Sequence, residues 1–140
     1  MRQPIDILAN YLNLARAAKL RRQPLVCDRV LLLAGVIAAQ IELEPIAGEC
    51  RERILANNPG HLIRCWRTIG EALGEEDFQL LVNQLSTRYG PERVERMVEQ
   101  LELTPQVDRG DFASDGEFAA ALLDKDWDEL IERFGSDSAD

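Results

Sequence analysis

The sequence predicts an all-α protein, a compact bundle of six or seven amphipathic helices around a buried central helix at about 27–43. Three observations carry that expectation. The first is the run 30–39, Val-Leu-Leu-Leu-Ala-Gly-Val-Ile-Ala-Ala, which holds no polar side chain. As a helix it is about 15 Å long, about half of what a bilayer core requires. Charged or polar residues flank it at Asp28, Arg29, Gln40, Glu42 and Glu44, so it reads as a core element and not a membrane span. Leucines and alanines favour a helix over a β-branched strand there, and a helix apolar on every side must be surrounded. The second observation is that apolar residues elsewhere recur at steps of three and four. The third is a composition poor in aromatics, at 6%, and rich in Leu, Ala, Glu and Arg. At 140 residues the chain can bury a core without disulfide staples.

The elements follow in order. A first helix over 5–20 repeats Ile5, Leu8, Leu12 and Ala15, with Tyr11 and Leu14 widening the stripe. Pro4 suits its first turn, and Lys19, Arg21 and Arg22 lie where the helix dipole favours cations. Gln23-Pro24 breaks the pattern before the central helix. Gly35 within that helix costs about 1 kcal/mol against alanine, which predicts a neighbouring helix passing close. Pro45 opens a third helix with Ile46, Cys50 and Ile54 on one face, and Asn57-Asn58-Pro59-Gly60 is the strongest turn signal.

A fourth helix is expected over 62–73, with Leu62, Trp66, Ile69 and Leu73 as its stripe and Gly74 as its C-terminal cap. Glu75, Glu76 and Asp77 form the acidic first turn of a fifth helix bearing Phe78, Leu81, Val82, Leu85 and Tyr89. Gly90-Pro91 ends it and starts a sixth, with Val94, Met97, Val98 and Leu101 turned inward. Residues 1–103 are thus expected to form the bundle and 104–116 a linker. A last helix over 117–134, kinked near Asp124, precedes a frayed acidic end at 135–140. No strand signal and no repeat of fixed period is present.

Charge is uneven. Of the net −9, −8 falls in residues 111–140, which hold ten acidic and two basic side chains. Such a surface disfavours nucleic acid phosphates. A helix-turn-helix reading of 78–103 fails for the same reason, because its second helix sets two arginines against four glutamates. The start of the chain lacks a secretory apolar segment, and three cysteines, an odd number, make no disulfide framework. A cytoplasmic protein with reduced thiols is expected.

Catalytic motifs are missing. One histidine, no Gly-x-Ser-x-Gly elbow and no phosphate-binding Gly-Lys-Ser/Thr are present, so no enzyme, no catalytic residue and no cofactor are expected. Glu92, Glu95, Glu99 and Glu102 form a stripe opposite the apolar face of the sixth helix and read as solvated. Cys50, His61 and Cys65 are the one set resembling a metal or small-ligand site, although three candidates with no Cys-x-x-Cys pair fall short of a structural zinc site. The bland alternative has His61 capping a helix start while the cysteines pack as small hydrophobes.

The feature that points furthest is the C-terminal helix. Trp127, Leu130, Ile131 and Phe134 fall on one face, Phe118, Leu122 and Leu123 extend it upstream, and acids fill the opposite face. Acidic aromatic helices of this type dock in partner grooves, pack in cis, or exchange between two copies of a chain. A basic cluster at Arg16, Lys19, Arg21 and Arg22, with Arg29 beyond, offers a docking patch for an acidic partner, or for the chain's own tail. The sequence therefore predicts a non-enzymatic protein-interaction module. Its partner would be another protein or a second copy, with no nucleic acid and no membrane. A metal- or small-ligand-binding helical protein using Cys50, His61 and Cys65 is the alternative.

Overall fold

The computed structural model describes residues 3–101 and 107–135. They form eight α-helices: α1 Pro4–Leu20, α2 Pro24–Gln40, α3 Glu44–Asn57, α4 Ile69–Ala72, α5 Glu76–Arg88, α6 Pro91–Gln100, α7 Asp115–Leu122 and α8 Trp127–Phe134. Two 3-10 turns, Leu62–Cys65 and Arg109–Asp111, complete them, and no strand occurs among the described residues. None of these helices is long and apolar enough to cross a membrane.

The helices α1, α2 and α3 pack along one another and form the heart of the bundle. Each begins with proline in its first turn, where the missing N–H costs nothing. Val30 to Val36 are buried without exception, so the apolar run is indeed the centre. Ile46, Cys50 and Ile54 of α3 and Leu8, Leu12 and Ala15 of α1 close on it. The close approach expected at Gly35 is supplied by α4: a Cβ there would lie 2.3 Å from Ile69 Cδ1.

The central helix stops at Gln40 and not near Leu43. Glu42 adopts a left-handed φ of 63°, and the Leu43 and Glu42 amides donate to the Ala38 and Ala39 carbonyls at 2.7 and 3.2 Å. This closure, the Schellman motif, normally employs glycine. It recurs after α1 with Arg22 (φ 57°) and after α7 with Asp124 (φ 58°). The Gln23 and Lys125 amides there donate to the Ala18 and Ala120 carbonyls.

The expected helix over 62–73 is broken. A 3-10 turn ends at an extended Trp66 (φ −125°, ψ 151°), and α4 starts afresh after Thr68, whose hydroxyl accepts the Glu71 N–H at 2.9 Å. The cause lies fifteen residues upstream. The Arg51 guanidinium donates twice to the Trp66 carbonyl, at 2.6 and 3.1 Å, and holds it out of any helical ladder. Trp66 packs edge-on against Phe78, and Leu62, expected inward, is exposed.

The single helix expected over 117–134 is two. Ser114 caps α7, accepting the Glu117 N–H, so α7 starts at Asp115, and the kink foreseen near Asp124 is a complete break. Of the expected linker 104–116, residues 104–106 lie outside the described residues. The following stretch is held by Arg109, which donates to Asp115 at 2.6 Å and to the Phe112 carbonyl at 2.8 Å. Of the end expected to fray, 136–140 also lie outside the described residues.

Candidate functional site

Both C-terminal helices pack in cis, α7 on α1 and α8 on α3. Phe118, Leu122 and Leu130 are buried in the common core, and reaching them would require opening the bundle. Trp127 and Phe134 are half-buried, each seated on a glycine: Trp127 on Gly116 and Phe134 on Gly48. The Arg133 guanidinium lies 5.2 Å from the centre of the Phe134 ring and pairs with Glu52. Only Ile131, 43% exposed, stays available among the six residues expected to anchor a partner.

The polar side of α3 is the dock for α8 and also holds the end of α7, a role that periodicity did not indicate. Glu49, one of two buried charged side chains among the described residues, accepts from Arg53 Nε at 2.7 Å. Arg53 in turn donates to the Leu123 carbonyl at the end of α7. The other buried charge, Asp28, accepts from Asn57 Nδ2 at 3.1 Å.

The three metal candidates do not assemble. Cys50 is fully buried, and burial pushes its thiol up to about 12. Cys65 is exposed. His61 Nδ1 accepts the Ile63 N–H at 3.0 Å, capping the 3-10 turn, and burial lowers the His61 pKa against an opposing pull from Asp28. Among the described residues no three His, Cys, Asp or Glu side chains are grouped to hold a metal ion.

The basic cluster divides in two. Arg16 is half-buried and reaches Asp124 at 3.5 Å, so one cation of the patch does meet the acidic tail. Lys19, Arg21 and Arg22 are exposed at the α1–α2 corner. Two large apolar side chains stand among them, Leu20 at 77% and Leu25 at 65% exposure, and sequence periodicity singled out neither. Beside Arg21 opens a groove of about 260 Å³ whose walls include Leu14, Val26, Tyr89, Met97 and Leu101.

No family model, curated protein or solved structure matches the chain. The concave surfaces must therefore speak through their own chemistry. A cleft of about 790 Å³ between α1, α6 and the 107–111 segment is lined by Asp6, Glu95, Glu99, Asp108 and Asp111, with Arg109 among them. A smaller pocket of about 170 Å³ lies where α1, α2, α3 and the end of α7 converge. Its polar lining holds Arg16, Lys19, Arg53, Asn57 and the Asp124 carboxylate, and its buried apolar lining includes Leu12, Ala15, Cys27 and Leu31.

Proposed function

We propose that the protein is a non-enzymatic interaction module that holds an acidic amphipathic segment of a partner protein at its α1–α2 corner. The observation carrying this reading is the pair of exposed leucines, Leu20 and Leu25, set among Lys19, Arg21 and Arg22 on a chain of net charge −9. An exposed apolar patch rimmed by charge marks an interaction site more often than bare surface does. The adjoining groove offers a slot for one anchoring side chain, with Arg21 at its edge. The net charge of −9 disfavours an acidic partner over the molecule as a whole, which favours docking where cations cluster, as at this corner.

The test is a titration of the isotope-labelled protein with a synthetic helix of alternating Leu/Phe and Asp/Glu faces. Amide shifts are expected at 19–26 and 97–101. They should fade at about 1 M salt, where the screening length is about 3 Å. Arg21→Glu combined with Arg22→Glu should weaken binding by more than about tenfold. Shifts confined to another face would overturn the reading. So would binding to anionic lipid vesicles without binding to the peptide.

A second copy of the chain is the other occupant favoured by an observation. The outer face of α8 presents exposed Ile131 among Asp128, Glu129 and Glu132, an acidic apolar segment already in the molecule. Contact of that face with another copy's corner is head-to-tail and does not close on itself without a fitting rotation. Sedimentation showing concentration-dependent growth, abolished by Ile131→Ser, separates this case from a foreign partner.

A further inference from the structure

We propose that the pocket between α1, α2, α3 and the end of α7 binds a short-chain monocarboxylate, with the carboxylate at Lys19 and Arg16 and the hydrocarbon chain on Leu12, Ala15, Cys27 and Leu31. This site shares Lys19 with the α1–α2 corner but has a lining of its own, with no residue in common with the groove beside Arg21, and it does not depend on a protein partner.

The shape is that of a small amphiphile's seat. Four helical elements wall it; all four contribute apolar side chains, and α1 and α3 contribute the cations. Its volume of about 170 Å³ is close to that of an apolar cavity of about 150 Å³ known to hold benzene. By that scale the occupant has about six to eight non-hydrogen atoms, which for a carboxylate is a chain of about four to six carbons. Cys27 is 4% exposed, and burial, followed by the Asp28 charge, raises its thiol pKa, so the floor stays neutral.

The charges at the rim select the valence of the ligand. Arg53 is committed to Glu49 and to the Leu123 carbonyl. Asn57 is committed to Asp28. Arg16 reaches Asp124 at 3.5 Å, and the Asp124 side chain is 68% exposed. A surface pair of that kind contributes about 0–1 kcal/mol, so a carboxylate seated nearer the apolar floor can draw Arg16 from it. Lys19 makes no ion pair with any described residue. One cation without an ion-pair partner among the described residues and one loosely held fit a monoanion. A phosphate dianion lacks the second free charge and has no group to cover the floor.

Occupancy would add a contact between α1 and the Leu122–Asp124 wall, so the ligand would tighten the docking of α7. The experiment is calorimetric and NMR titration of the full chain with sodium acetate, butanoate, hexanoate and decanoate, with hexanol and inorganic phosphate as controls. Affinity should rise by roughly fourfold per methylene from acetate to hexanoate, with no further gain for decanoate. Lys19→Gln, at an exposed position, should weaken hexanoate binding by about tenfold or more. Ala56→Phe, which fills the mouth from the exposed side of α3, should abolish it with the thermal midpoint retained. In a Cys65→Ser background, hexanoate should slow alkylation of Cys27. Hexanol binding as tightly as hexanoate would reduce the site to an apolar void. Acetate or phosphate binding as tightly would reduce it to surface charge. Either result, or no saturation by any carboxylate below about 10 mM, near the weak end of the affinity scale, overturns the proposal.

Discussion

A methyl group placed on Gly116 would come within 2.3 to 2.6 Å of three atoms of the Trp127 indole. Gly48 faces Phe134 in the same way, at 2.5 Å. No glycine here has a positive φ, and the left-handed positions go to Arg22, Glu42 and Asp124. At Gly116 and Gly48, then, glycine supplies room rather than backbone freedom. A rigid ring cannot retreat as the tip of a flexible chain can, so Gly116→Ala should cost about 1–3 kcal/mol through overpacking. Urea denaturation should show the loss, and amide exchange should localise it to α8. Unchanged stability would mean that the indole is not seated where the structure has it. Tyr11 makes a second residue-scale case. Its buried hydroxyl donates to the Tyr89 carbonyl at 2.6 Å, and burial pushes its pKa from 10.0 up to about 12. Because the folded value is the higher one, its contribution is complete below pH 10 and is lost as pH rises toward 12. Tyr11→Phe should be less stable than the parent near pH 8 by about 1 kcal/mol, with the gap closing above pH 10. A gap that is constant with pH would exclude this titration.

At the scale of the element, α3 is an apolar core helix on one side and a polar dock on the other. Arg51 breaks the 62–73 segment, Arg53 holds the end of α7, Glu52 meets Arg133 and Gly48 receives Phe134. Charged residues interspersed along a helix ordinarily mean a solvated face, but these are consumed by long-range contacts. Removing Arg53 leaves the Glu49 carboxylate buried without its partner, which costs about 3 kcal/mol. Arg53→Met should therefore lower the urea midpoint sharply, and Glu49→Leu in the same chain should recover most of the loss. If the double variant is no better than the single one, the ion pair is not what carries α7.

For the whole molecule, the C-terminal thirty residues combine most of the net charge with half of the aromatics, Phe112, Phe118, Trp127 and Phe134. From sequence alone that concentration is compatible with docking in a partner, packing in cis or exchange between copies. In the structure, those aromatics that belong to α7 and α8 complete the bundle. Amide exchange should therefore be slow through the Leu123 and Leu130 amides, which donate to Ala119 and Asp126, at low and high protein concentration alike. Fast exchange at both would return the segment to a partner-binding role. Protection only at high concentration would assign it to a dimer. The burial of these anchors moves the proposed docking surface to the opposite charge, at Lys19 to Leu25.

The all-helical class, the central position of 30–39, the faces of α1, α3, α5 and α6 and the close approach at Gly35 were legible in the sequence. Each follows from periodicity, composition or proline placement, which act over one or two turns of chain. Two further signals were present and local, the Thr-x-x-Glu and Ser-x-x-Glu caps at Thr68 and Ser114. They mark the true starts of α4 and α7. The rest had no local signature. Arginine and glutamate closed helices α1 and α2 where glycine would have announced the turn. Trp66 left its helix because of Arg51, and Leu20 and Leu25 stay in solvent because no element of the described residues covers that corner. The pocket at Lys19 and Cys27 joins side chains from four elements. Spacing along the chain determines which face a residue occupies, and only the packing of distant segments decides what that face meets.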